Sequence, residues 1–167
     1  MKFELKNVKY AAFASEETAC YEASLYVDGK RIGQVSNQGH GGSDDFHGDH
    51  KAYDAANEWL KANETWNTKA VFGANSDALP EKMPVDIEHK CAGLLDQWLL
   101  ERDLKNGLKR KVLFTKPNEK GIFQVSKRGN PVDAIKNALR ERHGGGLVFL
   151  DDLPFADAAK VYKEGTA

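Results

Sequence analysis

Residues 37–50, Asn37-Gln38-Gly39-His40-Gly41-Gly42-Ser43-Asp44-Asp45-Phe46-His47-Gly48-Asp49-His50, hold three of the chain's five histidines, three aspartates and four glycines. Imidazole and carboxylate groups are ligands for zinc and other divalent ions, which makes His40, Asp44, His47 and His50 a candidate metal set. A mixed set of this kind leaves a coordination position for water, the arrangement of a small metal-dependent hydrolase. The spacing H-x6-H-x2-H matches no established zinc pattern, and HExxH is absent. A second chemistry uses Asn37, Gly39, His40, Gly41, Gly42 and Ser43 as a ligand-binding loop. Successive glycines can aim backbone N–H groups into one concavity that holds a phosphate or a carboxylate. No GxxxxGK[ST] or GxGxxG spacing accompanies them, so no nucleotide fingerprint is present. The plainer reading is a wide turn with positive φ at Gly39, Gly41 and Gly42, followed by Asp49 as the N-cap of a helix.

Nucleophilic chemistry has less support. Ser43 stands in Gly-Gly-Ser-Asp without a G-x-S-x-G frame. Cys20 and Cys91 lack C-x-x-C spacing and read as reduced, buried thiols. No catalytic residue set is specified, so the sequence favours a binding protein over an enzyme. Charge adds a third candidate. Residues 1–101 carry a net charge of −7 and residues 102–143 a net charge of +8, within a chain of net charge −1. Lys109, Arg110, Lys111, Lys127, Arg128 and Arg140 could neutralise phosphates, which makes this segment a candidate nucleic-acid face.

The elements that position these residues follow from periodicity. Residues 2–14 alternate apolar and polar positions (Phe3, Leu5, Ala11, Phe13) and predict a strand, ended by Ser15-Glu16-Glu17-Thr18. Cys20–Val27 predicts a second strand. Asp28-Gly29 predicts a tight primed turn, and Arg31–Ser36 a third strand. The loop leaves the end of this meander. Ala52, Ala55, Ala56, Trp59 and Leu60 predict a helix over 51–63. Residues 64–84 lack periodicity and read as an irregular surface connection in which Trp66 is a candidate exposed binding residue. Ile87, Cys91, Leu94, Leu95 and Trp98 mark the apolar face of a helix over about 85–104, with His89 opposite. Residues 111–115 and 122–126 predict a second hairpin. Asn130-Pro131 predicts a helix start, Gly144-Gly145-Gly146 its end, and Pro154 the start of a last short helix.

The expected fold is α+β in one domain over 1–167: one antiparallel sheet, made of the first meander and the later hairpin, with two main helices on one face. The hydrophobic content of 41% suits a globular core. No run of about 18 apolar residues is present, which excludes a spanning helix, and no membrane partner is expected. Met1-Lys2-Phe3-Glu4-Leu5-Lys6 has no signal-peptide core, which predicts a cytoplasmic protein.

The run Tyr26-Val27-Asp28-Gly29-Lys30-Arg31-Ile32-Gly33, continued by Val35-Ser36-Asn37-Gln38-Gly39-His40-Gly41-Gly42, resembles a family of small proteins encoded by bacteriophages and mobile elements. In that family a similar hairpin leads into an Asn-x-Gly-x-Gly-Gly loop. The resemblance covers mainly residues 1–60 and implies an accessory protein acting on a host protein or on nucleic acid. It implies no catalytic residues. The resulting expectation is a small binding or regulatory protein that uses the Gly/His loop for recognition.

Overall fold

The computed structural model describes residues 1–73 and 79–166 and has an α+β architecture. The chain divides into two compact units, Met1–Asp96 and Gln97–Ala167. No helix among the described residues is long and apolar enough to cross a membrane.

The first unit is built on an antiparallel sheet of β1 (Phe3–Tyr10), β2 (Tyr21–Val27), β3 (Lys30–Asn37) and β4 (Asp45–Gly48), in that order. The β2–β3 turn is the expected primed one, since Asp28 and Gly29 have φ of 47° and 81°. Two features differ from expectation. β1 stops at Tyr10, and a bulge between Lys6 and Lys9, with Asn7 at φ 54°, breaks the alternation within it. Residues 12–14 instead form a 3-10 turn. The second difference is β4, a fourth strand taken from the polar loop. It pairs Gly33↔Gly48, Gln34↔His47, Val35↔Phe46 and Ser36↔Asp45. Any Cβ on Gly33 would overlap the Phe46 ring, so a side chain is excluded where the two strands close.

β4 feeds α1 (His50–Asn63), capped as expected by Asp49, whose Oδ1 accepts from Ala52 N at 3.1 Å. Tyr21, Ala23 and Leu25 of β2 are buried together with Ala56 and Leu60 of α1. α3 (Ile87–Arg110) is six residues longer at its C-terminus than the apolar pattern indicated, and contributes Ile87, Cys91 and Leu95 to the same core. Its start is held by Asp86 Oδ1, which accepts from His89 N, and by Asn57 Oδ1, which accepts from Ile87 N. Residues 65–72 and 82–84 carry more regular structure than expected. β5 (Thr65–Asn67) pairs with β6 (Lys82–Pro84), and α2 (Thr68–Phe72) lies between them in sequence. Residues 74–78 of this connection lie outside the described residues. Trp66 is half-buried and stacks on His89 with centroids 4.8 Å apart.

The second unit has its own sheet, in which the later hairpin, β7 (Lys111–Lys116) and β8 (Glu119–Ser126), takes β9 (Val148–Phe149) as a third strand. The hairpin therefore does not extend the first sheet, because Phe114 pairs with Phe149 at the edge of β7 that β8 leaves open. α4 (Val132–His143) and α5 (Phe155–Thr166) complete the unit. Asn130 does not cap α4; its amide donates to Lys127 O in the preceding turn. Gly144, at φ 78°, ends the helix as expected. Lys136 on α4 is only 5% exposed and reaches Asp151 at 2.7 Å and Asp152 at 2.6 Å. Burial alone would lower the pKa of this ammonium; the two carboxylates reverse the effect and hold it raised.

Candidate functional site

The Gly/His loop is one half of a two-loop tip on the first unit. The other half is the β1–β2 connection, residues 11–20. Ala11 N donates to Cys20 O at 3.0 Å and closes that connection. Within it, Ser15 Oγ donates to Ala11 O and accepts from Cys20 N. Three consecutive amides, Glu16, Glu17 and Thr18, then converge on one acceptor, the Gly39 carbonyl, at 2.9, 3.0 and 3.3 Å. Converging amides of this kind form an anion-binding concavity. Here the other loop's own carbonyl fills it. Gly39 has φ 90°, and any Cβ there would overlap the Ala14 carbonyl oxygen, so the interlock requires glycine.

Asn37 is the hub beneath the tip. Its side chain is buried, and all of its hydrogen-bonding capacity is used. Oδ1 accepts from Thr18 Oγ1 at 2.6 Å and Gly39 N at 2.9 Å, while Nδ2 donates to Gly42 O at 3.2 Å and Asp44 Oδ1 at 3.1 Å. Asp44 also accepts from the Tyr21 hydroxyl. Burial, and next this hydrogen bond, push the Tyr21 phenol far above its ordinary range, so it stays a proton donor to the carboxylate. Gly41 N donates to Thr18 Oγ1. Of the expected cradle of Asn37, Gly39, His40, Gly41, Gly42 and Ser43, Gly39 and Gly41 spend their amides inside the protein. The positive φ expected at Gly39, Gly41 and Gly42 is present, at 90°, 90° and 88°.

The four candidate metal ligands are held apart. His40 Nδ1 contacts Glu16 Oε2 at 3.1 Å. Asp44 belongs to the Tyr21–Asn37 network. His47 is an exposed residue of β4 opposite Gln34, and the His50 ring meets the Phe46 ring edge-on at 5.4 Å. Among the described residues, no three His, Cys, Asp or Glu side chains form a group able to hold an ion. The reason is β4, whose extended backbone sends residues 45–48 along a strand where a ligand loop would curl around an ion.

The residue that sequence periodicity missed is Phe13. Counted as an inward position of a long strand, it lies instead on the 3-10 turn and is 95% exposed. Asn7 is the only local signal for this, since a turn-prone residue inside the alternating run warns of a shift in parity. Around the tip stand the exposed side chains of Glu16, Glu17, Gln38, His40, Ser43 and Asp45.

In the second unit, five of the six candidate phosphate-binding residues gather at one end of the hairpin. Lys109 and Arg110 end α3, Lys111 begins β7 opposite Ser126, and Lys127 and Arg128 form the turn after β8. Lys127 N and Nζ donate to the carbonyls of Arg110 and Leu108, tying the turn to the helix end. Arg140 is elsewhere, on α4, with its guanidinium 5.0 Å from the Phe149 ring centre. No family model matches the chain, and neither a curated protein nor a solved structure shows significant similarity to it.

Proposed function

We propose that the chain is a small binding protein of the phage or mobile-element type, and that the two-loop tip is its recognition surface. The observation that carries this reading is Phe13, 95% exposed on a frame fixed by three amide hydrogen bonds to one carbonyl. On a fixed backbone an aromatic side chain has only two χ angles to lose when it enters a partner's pocket, and such anchors dominate interface energetics. Glu16 and Glu17 follow it on the same connection and are exposed, so the matching surface is an apolar pocket with a cationic rim. The resemblance of residues 26–42 to phage-encoded proteins points to a host protein as the owner of that pocket.

Affinity capture from host lysate, followed by titration calorimetry with the captured protein, tests the proposal. Phe13→Ser removes exposed surface only and should leave the melting curve unchanged. It should weaken partner binding by at least about 30-fold, the effect of losing roughly 2 kcal/mol at an anchor position. Glu16→Lys with Glu17→Lys should weaken it further, mainly through the association rate. A partner that binds wild type and Phe13→Ser equally well would overturn the assignment of the tip.

A further inference from the structure

The second unit carries a site of different chemistry. A cleft of about 640 Å³ opens between α3, the β7–β8 hairpin and α5, lined among others by Asn106, Arg110, Lys111, Gln124, Ser126 and Tyr162, and by one carboxylate, Asp103, which is paired with Arg102 at 2.9 Å. Its volume falls in the range of small-molecule sites, about 300–1,000 Å³. Among the described residues, the side chains of Asn106, Arg110, Ser126 and Tyr162 make no hydrogen bond or ion pair with the protein. Lys111 Nζ donates to Gln124 Oε1 at 2.7 Å, which leaves the Gln124 amide NH2 free to donate into the cleft.

Five cations, Lys109, Arg110, Lys111, Lys127 and Arg128, stand at this end of the hairpin. None has a carboxylate within ion-pair distance among the described residues. Elsewhere in the same unit Lys105, Lys116, Lys136 and Lys160 each have at least one, whereas Lys120, Arg140, Arg142 and Lys163 have none among the described residues. Unpaired cations beside an open polar cleft repel one another, and an anion bound there would relieve that repulsion.

We infer that this corner binds single-stranded nucleic acid, with backbone phosphates on the five cations and one nucleobase in the cleft against Tyr162. The cleft distinguishes this ligand from an acidic peptide. Carboxylates would satisfy the rim alone, whereas an aromatic ring beside amide and hydroxyl groups suits a planar base with donor and acceptor edges. A duplex keeps its bases stacked and paired and offers none to the cleft.

Fluorescence anisotropy on the full chain, with labelled dT and rU 12-mers at 50 and 200 mM NaCl, tests the inference. Neutralising five phosphates of a single strand predicts a slope of log K against log[salt] near −3.5, or about 100-fold weaker binding across that range. Replacing Lys109 and Arg110 by Ser and Arg128 by Gly should reduce the slope to roughly −1.4, because two cations remain. Ser126→Trp, which occupies the cleft, should weaken binding about tenfold with the slope unchanged. Each variant is used only with a wild-type melting transition, and Gln124→Ala, at an exposed position, replaces Ser126→Trp if that variant is unstable. Absence of binding at 50 mM NaCl would overturn the inference. So would tighter binding of duplex, equal binding of polyglutamate, or a slope unchanged by loss of three cations.

Discussion

Asn37 is where a single change should undo the tip. In Asn37→Ala the buried Gly39 N–H and the Thr18 hydroxyl lose their acceptor, while Gly42 O and Asp44 lose a donor. Gly42 is exposed and Asp44 half-buried, so water replaces part of what is lost there. The unsatisfied Gly39 amide alone costs about 1–3 kcal/mol, and the charge-assisted bond to Asp44 contributes a comparable gross amount. The expected net loss is about 3 kcal/mol, read from urea denaturation followed by far-UV circular dichroism. Asn37→Asp makes a sharper test. Its oxygens can still accept from Thr18 and Gly39, but the atom in the place of Nδ2 would face Asp44 Oδ1 at 3.1 Å and Gly42 O at 3.2 Å. Oxygens at that separation need a shared proton, so the folded state holds one more tightly than the unfolded chain does. A raised folded pKa stabilises below the ordinary carboxylate range and is lost as pH rises through the raised value. Asn37→Asp should therefore approach wild-type stability near pH 4 and fall well below it at pH 7. A loss under about 1 kcal/mol for Asn37→Ala, or a pH-independent deficit for Asn37→Asp, would refute the role of Asn37 as hub.

Gly39→Ala should destabilise by about 2 kcal/mol or more, since a positive φ and an overlap with the Ala14 carbonyl combine at one residue; equal melting transitions would contradict the interlock. Lys136→Ala should cost about 2 kcal/mol in chemical denaturation, because it leaves Asp151 and Asp152 facing each other without their ammonium. Lys136→Met keeps an apolar stem but loses the ammonium that stands 5.3 Å from the Phe149 ring centre, and should recover only part of that loss. Cys91 is 1% exposed, and burial, reinforced by Asp44, Asp86 and Glu88, pushes its thiol up to about 12. In the folded protein at pH 8 it should resist a disulfide reagent that labels two thiols in denaturant. Stability should also fall as pH rises from about 9 toward 12, because only the unfolded thiol then releases its proton.

Local chemistry made some of the molecule legible in the sequence. The primed turn at Asp28-Gly29, the Asp49 cap, the Gly144 stop and the positive φ at three loop glycines each depend on a residue and its immediate neighbours. The α+β character followed from periodicity in the same way. β4 was not legible, because Asp45-Phe46-His47-Gly48 becomes a strand only when Gly33–Ser36 supplies its partners. For the same reason the hairpin's choice of Val148–Phe149 over the first sheet could not be read from strand signals, which identify strands but not the edges they seek.

The candidate site divides along that line. Its composition, with histidine, glycine and carboxylate crowded into residues 37–50, is a property of the sequence, as is the concentration of positive charge in 102–143. Tertiary structure decided which of those groups face solvent. It drew Asn37 and Asp44 inward into a satisfied network, separated the four metal candidates along a strand, and turned Phe13 outward on the neighbouring loop. Residue type states what a side chain is able to bind. Which atoms remain free to do so is decided only when distant segments compete for the same donors and acceptors, and in the tip the amides of residues 16–18 were claimed by Gly39 across the fold.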